Sequence, residues 1–126
     1  MMQSLNNERA KFAFDAVQTV VKEHIGTATP KKYHTLIRSL PAMIQMQGLG
    51  TTVAFLYSKK GAEKAHEILY DSTGEWCKQQ KLLKNTELAK EIVQLDTQAY
   101  RMVTEEVLQM LLWKKRFAEG MIEDVE

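Results

Sequence analysis

Side chains that take protons, attack carbon or phosphorus, or hold metals are few in this chain. His24, His34 and His66 lack metal-ligand spacing, and with Cys77 as the one cysteine neither a CxxC pair nor an HExxH helix can be written. Each histidine reads as a surface or satisfied residue. Glu105-Glu106 and Glu123-Asp124 are adjacent pairs; neighbours on a helix point to different faces, so neither pair can share a substrate proton, and both read as solvated charge. Gly48-Leu49-Gly50 starts like a dinucleotide fingerprint, but Val53 stands where the third glycine belongs and no strand precedes it. A P-loop is absent as well. No nucleophile, base and orienting group can be assembled, so the expectation is a binding or assembly protein: no enzyme, no cofactor, no metal site and no small-molecule substrate.

What remains is charge. The net charge is +1, but residues 1–60 hold eight Lys/Arg against three Asp/Glu, and residues 61–126 hold nine against thirteen. No acid occurs between Glu23 and Glu63, a stretch that contains Lys31, Lys32, His34, Arg38, Lys59 and Lys60. A basic segment of this kind is a candidate footprint for an anionic partner, foremost nucleic acid. It could equally dock on the acidic half of the same molecule or of a neighbour.

These side chains need elements to position them, and the pattern is helical throughout. A chain of 126 residues is expected to be one domain, residues 1–126, without a membrane span or a signal-peptide core, since no run approaches about 18 apolar residues. The expectation is a soluble cytoplasmic protein, with Cys77 a small core residue beside Trp76. A first helix is predicted from about Asn7 to Ile25 with Phe14, Val17, Val21 and Ile25 inward. A second opens with Thr29 as N-cap and Pro30 behind it, with Tyr33, Leu36, Ile37 and Leu40 inward. Pro41 predicts a break near Ser39 and a new helix from Leu40; Gly48 predicts a left-handed stop, with Leu49 packing back on Ile44. Further helices are expected to Lys60-Gly61, from Ala62 to Gln80 with Gly74 as a weak point, from Asn85-Thr86 to Leu95, and from Thr97 to about Ile122 behind the cap Asp96. The predicted fold is all-α, a single bundle of about six or seven helices.

At about 100° per residue, Tyr100, Val103, Val107, Leu111, Ala118 and Ile122 share one side of the last helix, and Met102, Trp113 and Phe117 widen it. Such a helix is central to the core or forms a contact between copies. Lys114 falls inside the apolar sector, where it is expected to reach for a rim or face a partner.

Two blocks carry a resemblance. One comprises Tyr33, Leu36, Ser39-Leu40-Pro41, Ile44, Gly48-Leu49, Ala54-Phe55-Leu56 and Ser58-Lys59. The other comprises Tyr100-Arg101, Thr104-Glu105-Glu106-Val107-Leu108, Trp113 and Lys115-Arg116-Phe117-Ala118. In order and spacing they resemble the small helical subunit, subunit five, of the Cmr complex, the type III-B CRISPR RNA-guided effector of the RAMP module. Gln47 and Lys114 depart from the family pattern, which often has Asn and an apolar residue there.

The resemblance implies a non-catalytic subunit of antiviral defence whose copies stack head to tail as a minor filament beside the backbone subunits, one end against the large subunit. Guide RNA and target RNA would lie alongside. Lys31, Lys32, Arg38, Lys59, Lys60, Lys115 and Arg116 are the candidate RNA-facing set. The alternative is a generic helical adaptor that homo-oligomerises without touching RNA.

Overall fold

The computed structural model describes residues 4–122 and contains six helices: α1 Leu5–Glu23, α2 Thr29–Gln47, α3 Leu49–Lys59, α4 Lys64–Gln79, α5 Leu88–Ile92 and α6 Thr97–Met121. No strand occurs among the described residues. α6 is the spine. It packs along α1 and then α2, while α4 lies across α2 and α3, and α5 closes the α3–α4 side. Ser4 and Asp96 start α1 and α6 by accepting from the amides of Asn7 (3.1 Å) and Ala99 (2.8 Å), supplying acceptors to first-turn N–H groups that have none inside the helix.

The predicted break at Pro41 is absent: α2 runs unbroken through it. Tyr33, Leu36, Ile37, Leu40 and Ile44 are all buried, so one stripe of core contacts continues at spacings of three and four across the proline. Packing offsets the lost hydrogen bond and ring clash, about 3 kcal/mol in an isolated helix. Thr29 is not the N-cap; the cap is Ala28, and Thr27 Oγ1 accepts from the Thr29 amide at 3.2 Å. On α1 the inward residues are Ala13, Val17 and Val20, whereas Phe14 and Ile25 are exposed, which corrects the expected stripe.

Gly48 does end α2 at positive φ (91°), but its ψ of 160° lies outside the left-handed helical region. The expected Schellman turn therefore does not form, although Ile44 and Leu49 do share one core cluster. Gly48 is a joint with no loop: its N–H donates to Ile44 O (2.8 Å), and its carbonyl accepts from the Thr52 N–H and Oγ1 inside α3. The Tyr100 hydroxyl from α6 sits against this joint and accepts from the Gly50 amide at 2.7 Å. A Cβ on Gly48 would lie 3.3 Å from that oxygen, and one on Gly50 3.4 Å, so small residues there leave room for the tyrosine.

Two charges expected outside are inside. Glu106 is not solvated: it accepts from Arg9 Nε and Nη2 at 2.7 and 2.8 Å and from Trp76 Nε1 at 3.0 Å, joining α6 to α1 and α4. The hydrogen bonds to Glu106 raise the Arg9 pKa from its ordinary value, against a smaller lowering by burial. Lys114 reaches neither rim nor partner. It is fully buried, donates to Ser72 Oγ at 2.6 Å and stands 5.7 Å from the Phe12 ring centre. Burial lowers its pKa from 10.5 to about 8. Cys77 is the expected core thiol, and burial pushes it from 9.0 up to about 12.

Gly74 is less a weak point than a contact point, because a Cβ there would collide with the Thr86 carbonyl oxygen. Gly74→Ala is expected to destabilise by more than about 2 kcal/mol, since backbone must move to admit a methyl. A lowered urea midpoint checks this; an unchanged midpoint would show that the turn before α5 yields freely.

Lys114 generates a pH prediction. Between about pH 8 and 10.5 the unfolded chain holds a proton that the folded chain has released, so this group makes stability rise with pH. Cys77 acts oppositely: above pH 9.0 the folded chain keeps the proton that the unfolded chain loses, and stability falls. Comparison with Lys114→Met removes most of the cysteine's contribution, because burial is the larger cause of the Cys77 shift and the charge of Lys114 a smaller one. The variant is expected to match or exceed wild type in urea melts at pH 7 and to lose that relative advantage by pH 10. A gap independent of pH would exclude a buried titrating amine.

Candidate nucleic-acid interface

Lys31 and Lys32 occupy the first turn of α2, both exposed, in a turn with no acidic residue. That leaves the positive end of the helix dipole uncompensated by its own first turn. Arg38 is exposed two turns further on, at the i+7 position from Lys31, and so continues the same outer stripe. Beside this stripe a shallow groove of about 330 Å³ separates α2 from the start of α4. It is lined by Lys31, Lys32, Thr35, Leu36, Ser39, Glu63 and His66.

His66, which sequence reasoning treated as incidental, belongs to this groove. Its ring lies edge-on to Phe55 (5.3 Å between centres), and its Nδ1 is buried without a hydrogen-bond partner. Burial lowers its pKa most; Glu63 opposes that and Lys59 adds to it. The influence of Lys59, at the end of α3, on the ring brings a fourth member of the basic set to the same end of the molecule. Glu63 is the single carboxylate in the lining.

The other three members lie elsewhere. Lys60 turns from Lys59 onto two aromatic faces, 4.8 Å from the Tyr70 ring centre and 5.7 Å from that of Tyr57, and it lines a notch with Asp71, Glu75 and Glu87. Such a cation is already answered by rings and carboxylates. Lys115 and Arg116 are on α6, no residue of which lines the α2–α4 groove, and Arg116 pairs with Glu119 at 3.2 Å. The structure thus gathers Lys31, Lys32 and Lys59 around one groove, sets Arg38 further along the outer stripe of α2, and leaves Lys60, Lys115 and Arg116 apart. Chemically, the gathered groups can neutralise phosphate oxygens and hydrogen-bond them.

A second and larger groove, about 440 Å³, runs between α1 and α4 and carries the opposite sign. Phe12, Ala16, Val20 and Ile68 contribute apolar lining, and Asp15, Glu23, Asp71 and Glu75 supply carboxylates. Among the described residues no group of three or more His, Cys, Asp or Glu could hold a metal ion, and no helix is long and apolar enough to cross a membrane. Glu123 and Asp124, the second acidic pair, lie outside the described residues.

Comparison with known proteins agrees with this architecture. A CRISPR-associated Cmr5 family protein from Thermus thermophilus, solved by X-ray crystallography, superposes with a TM-score of 0.77 at 25% identity, covering 96% of this chain and 100% of that one. A protein described as CRISPR system Cmr subunit Cmr5, from the same organism, is 30% identical over 93 residues, 74% of this chain and 77% of the relative. The family model of the CRISPR-associated protein Cas_Cmr5 matches residues 5–121, from the first residue of α1 to the last of α6. By that match the chain belongs to the Cmr5 family of CRISPR-associated proteins.

Proposed function

We propose that this chain is a non-catalytic small subunit of a type III-B CRISPR (Cmr) ribonucleoprotein complex in the cytoplasm. In this reading copies stand head to tail as a minor filament against the large and backbone subunits, and the filament helps hold target RNA against the guide in antiviral defence. The observation that carries the RNA part is the gathering of Lys31, Lys32 and Lys59 about one groove, with Arg38 further along the outer stripe of α2, in a segment without a single acid between Glu23 and Glu63. Lys60, Lys115 and Arg116 remain in the candidate set; Lys60 lies on aromatic faces and Arg116 on Glu119, contacts that each would exchange for phosphate.

Contacts of this kind hold backbone and leave sequence to base pairing with the guide. One copy neutralises few phosphates, so isolated subunits bind RNA weakly. Copies in a row bind better, because each further contact is intramolecular.

Glu63 and the carboxylates of the α1–α4 groove also suit the second reading, a generic helical adaptor that homo-oligomerises without touching RNA, its basic end meeting another copy. Lys31→Glu, Lys32→Glu and Arg38→Glu in one chain separate the two. Target-RNA affinity of the assembled complex is expected to drop, with the slope of log K against log salt shallower by about one for each phosphate no longer neutralised. Helicity should be unchanged, since all three side chains are exposed. Normal assembly with the wild-type slope would remove RNA from this face and favour the adaptor.

A further inference from the structure

We infer that the α1–α4 groove is the socket for a second copy of this chain, and that what enters it is the aromatic edge formed by Phe14, Trp113 and Phe117 together with Arg116. The inference rests on the head-to-tail reading above and names its two surfaces.

The groove has the make-up of a receptor for an apolar group flanked by cations. Its floor is Phe12, Ala16, Val20 and Ile68; its rim holds Asp15 and Glu23 from α1 and Asp71 and Glu75 from α4. Lys11 pairs with Asp15 at 2.9 Å, Lys60 stands in the adjoining notch, and Lys114 reaches Ser72 from beneath and feels the charge of Glu75; His24 joins the lining, but no Lys or Arg does. Four carboxylates outnumber these internal cations, so the open face of the trough stays acidic and favours a further cation. An occupant that brings an aromatic group and a guanidinium satisfies floor and rim together.

The same chain carries that complement. Phe14 is 40% exposed and meets Phe117 edge-on at 5.4 Å, and Phe117 stacks on Trp113 at 5.9 Å. Arg116 is exposed between them in sequence, held by one exposed contact to Glu119 that contributes little and can be exchanged. Aromatic residues and arginine are the types enriched at the centres of protein interfaces.

The placement sets the assembly. Phe14 follows Phe12 by two residues, about 200° round the helix, so the edge and the socket lie on opposite flanks of α1. A surface that fits a different surface on the far side of its own molecule makes a heterologous contact, which extends as an open row unless rotation closes it. The phosphate-facing groove stays clear of this contact. Glu63 and His66 lie on the opposite flank of α4 from Ile68, Ser72 and Glu75, so a row built this way leaves each copy's basic end accessible.

Two charge-reversed chains test it: Arg116→Glu, and Asp71→Lys with Glu75→Lys, all at exposed positions. In sedimentation velocity over a concentration series at low salt, the wild-type chain is expected to associate. Each variant alone should associate at least about tenfold more weakly, as repulsion replaces attraction at the contact. An equimolar mixture of the two should regain association, because each edge then meets a groove of opposite sign. Circular dichroism confirms that both variants fold. Variants that associate like wild type would overturn the assignment of surfaces while leaving the row intact. A mixture that fails to recover would overturn the pairing of this edge with this groove. A wild-type chain that stays monomeric both alone and within the complex would remove the head-to-tail reading as well.

Discussion

A carboxylate enclosed by three helices has to be answered by all of them. Glu106 projects from α6 to a guanidinium on α1 and an indole on α4, with both carboxylate oxygens engaged and only 8% of the residue exposed. If either donor is removed, acceptor capacity in the interior goes unmet, which is more damaging than the loss of an average surface pair. The geometry is also directional: the Arg9 fork fixes where α1 crosses α6, and the indole N–H fixes the rotation of α4 at Trp76. Apolar contacts of Ala13, Trp76 and Met110 fill in around that frame. Aliphatic packing alone tolerates sliding, and this bond set does not.

Much of the architecture could be read from the chain. The stripe Tyr33, Leu36, Ile37, Leu40 is the buried face of α2, and Val103, Val107, Leu111 and Ala118 is that of α6, because each repeats at the helical period without a competing pattern. Where the reading failed, a tertiary contact had outweighed a local rule. Pro41 stayed inside a helix because Ile37 and Ile44 on either side are held in the core. Gly74 reads as a defect because the backbone of Thr86, which fits only where a Cβ is absent, is distant in sequence. Glu106 reads as solvated when taken with its neighbour Glu105, whereas its spacing of four from Met110, a buried residue, is the signal that places it inside.

The candidate interface was legible as composition and not as place. A run without acids could be counted directly, but which of its cations share a face depends on how α2, α3 and α4 cross. Lys59 and Lys60 are neighbours in sequence and diverge in space: one acts on His66 in the basic groove, the other lies on Tyr70 beside Asp71 and Glu75. His66 could not have been assigned to the basic end from sequence, since what brings it there is the packing of α4 against α2.

The separation of charge follows from the same helix. One flank of α4 carries Glu63 and His66 toward the lysines of α2, and the other carries Ile68, Asp71, Ser72 and Glu75 toward α1. A single rigid element thus faces a basic groove on one side and an acidic, apolar-floored groove on the other. What fixes its rotation is Trp76, bonded to Glu106, and what keeps its acidic flank filled from beneath is Lys114, bonded to Ser72. The two charges that sequence reasoning placed at the surface are therefore the interior supports of the surface that can meet partners. A change that rotated α4 would disturb both grooves at once, so the polar interior and the exposed charge pattern form one constraint.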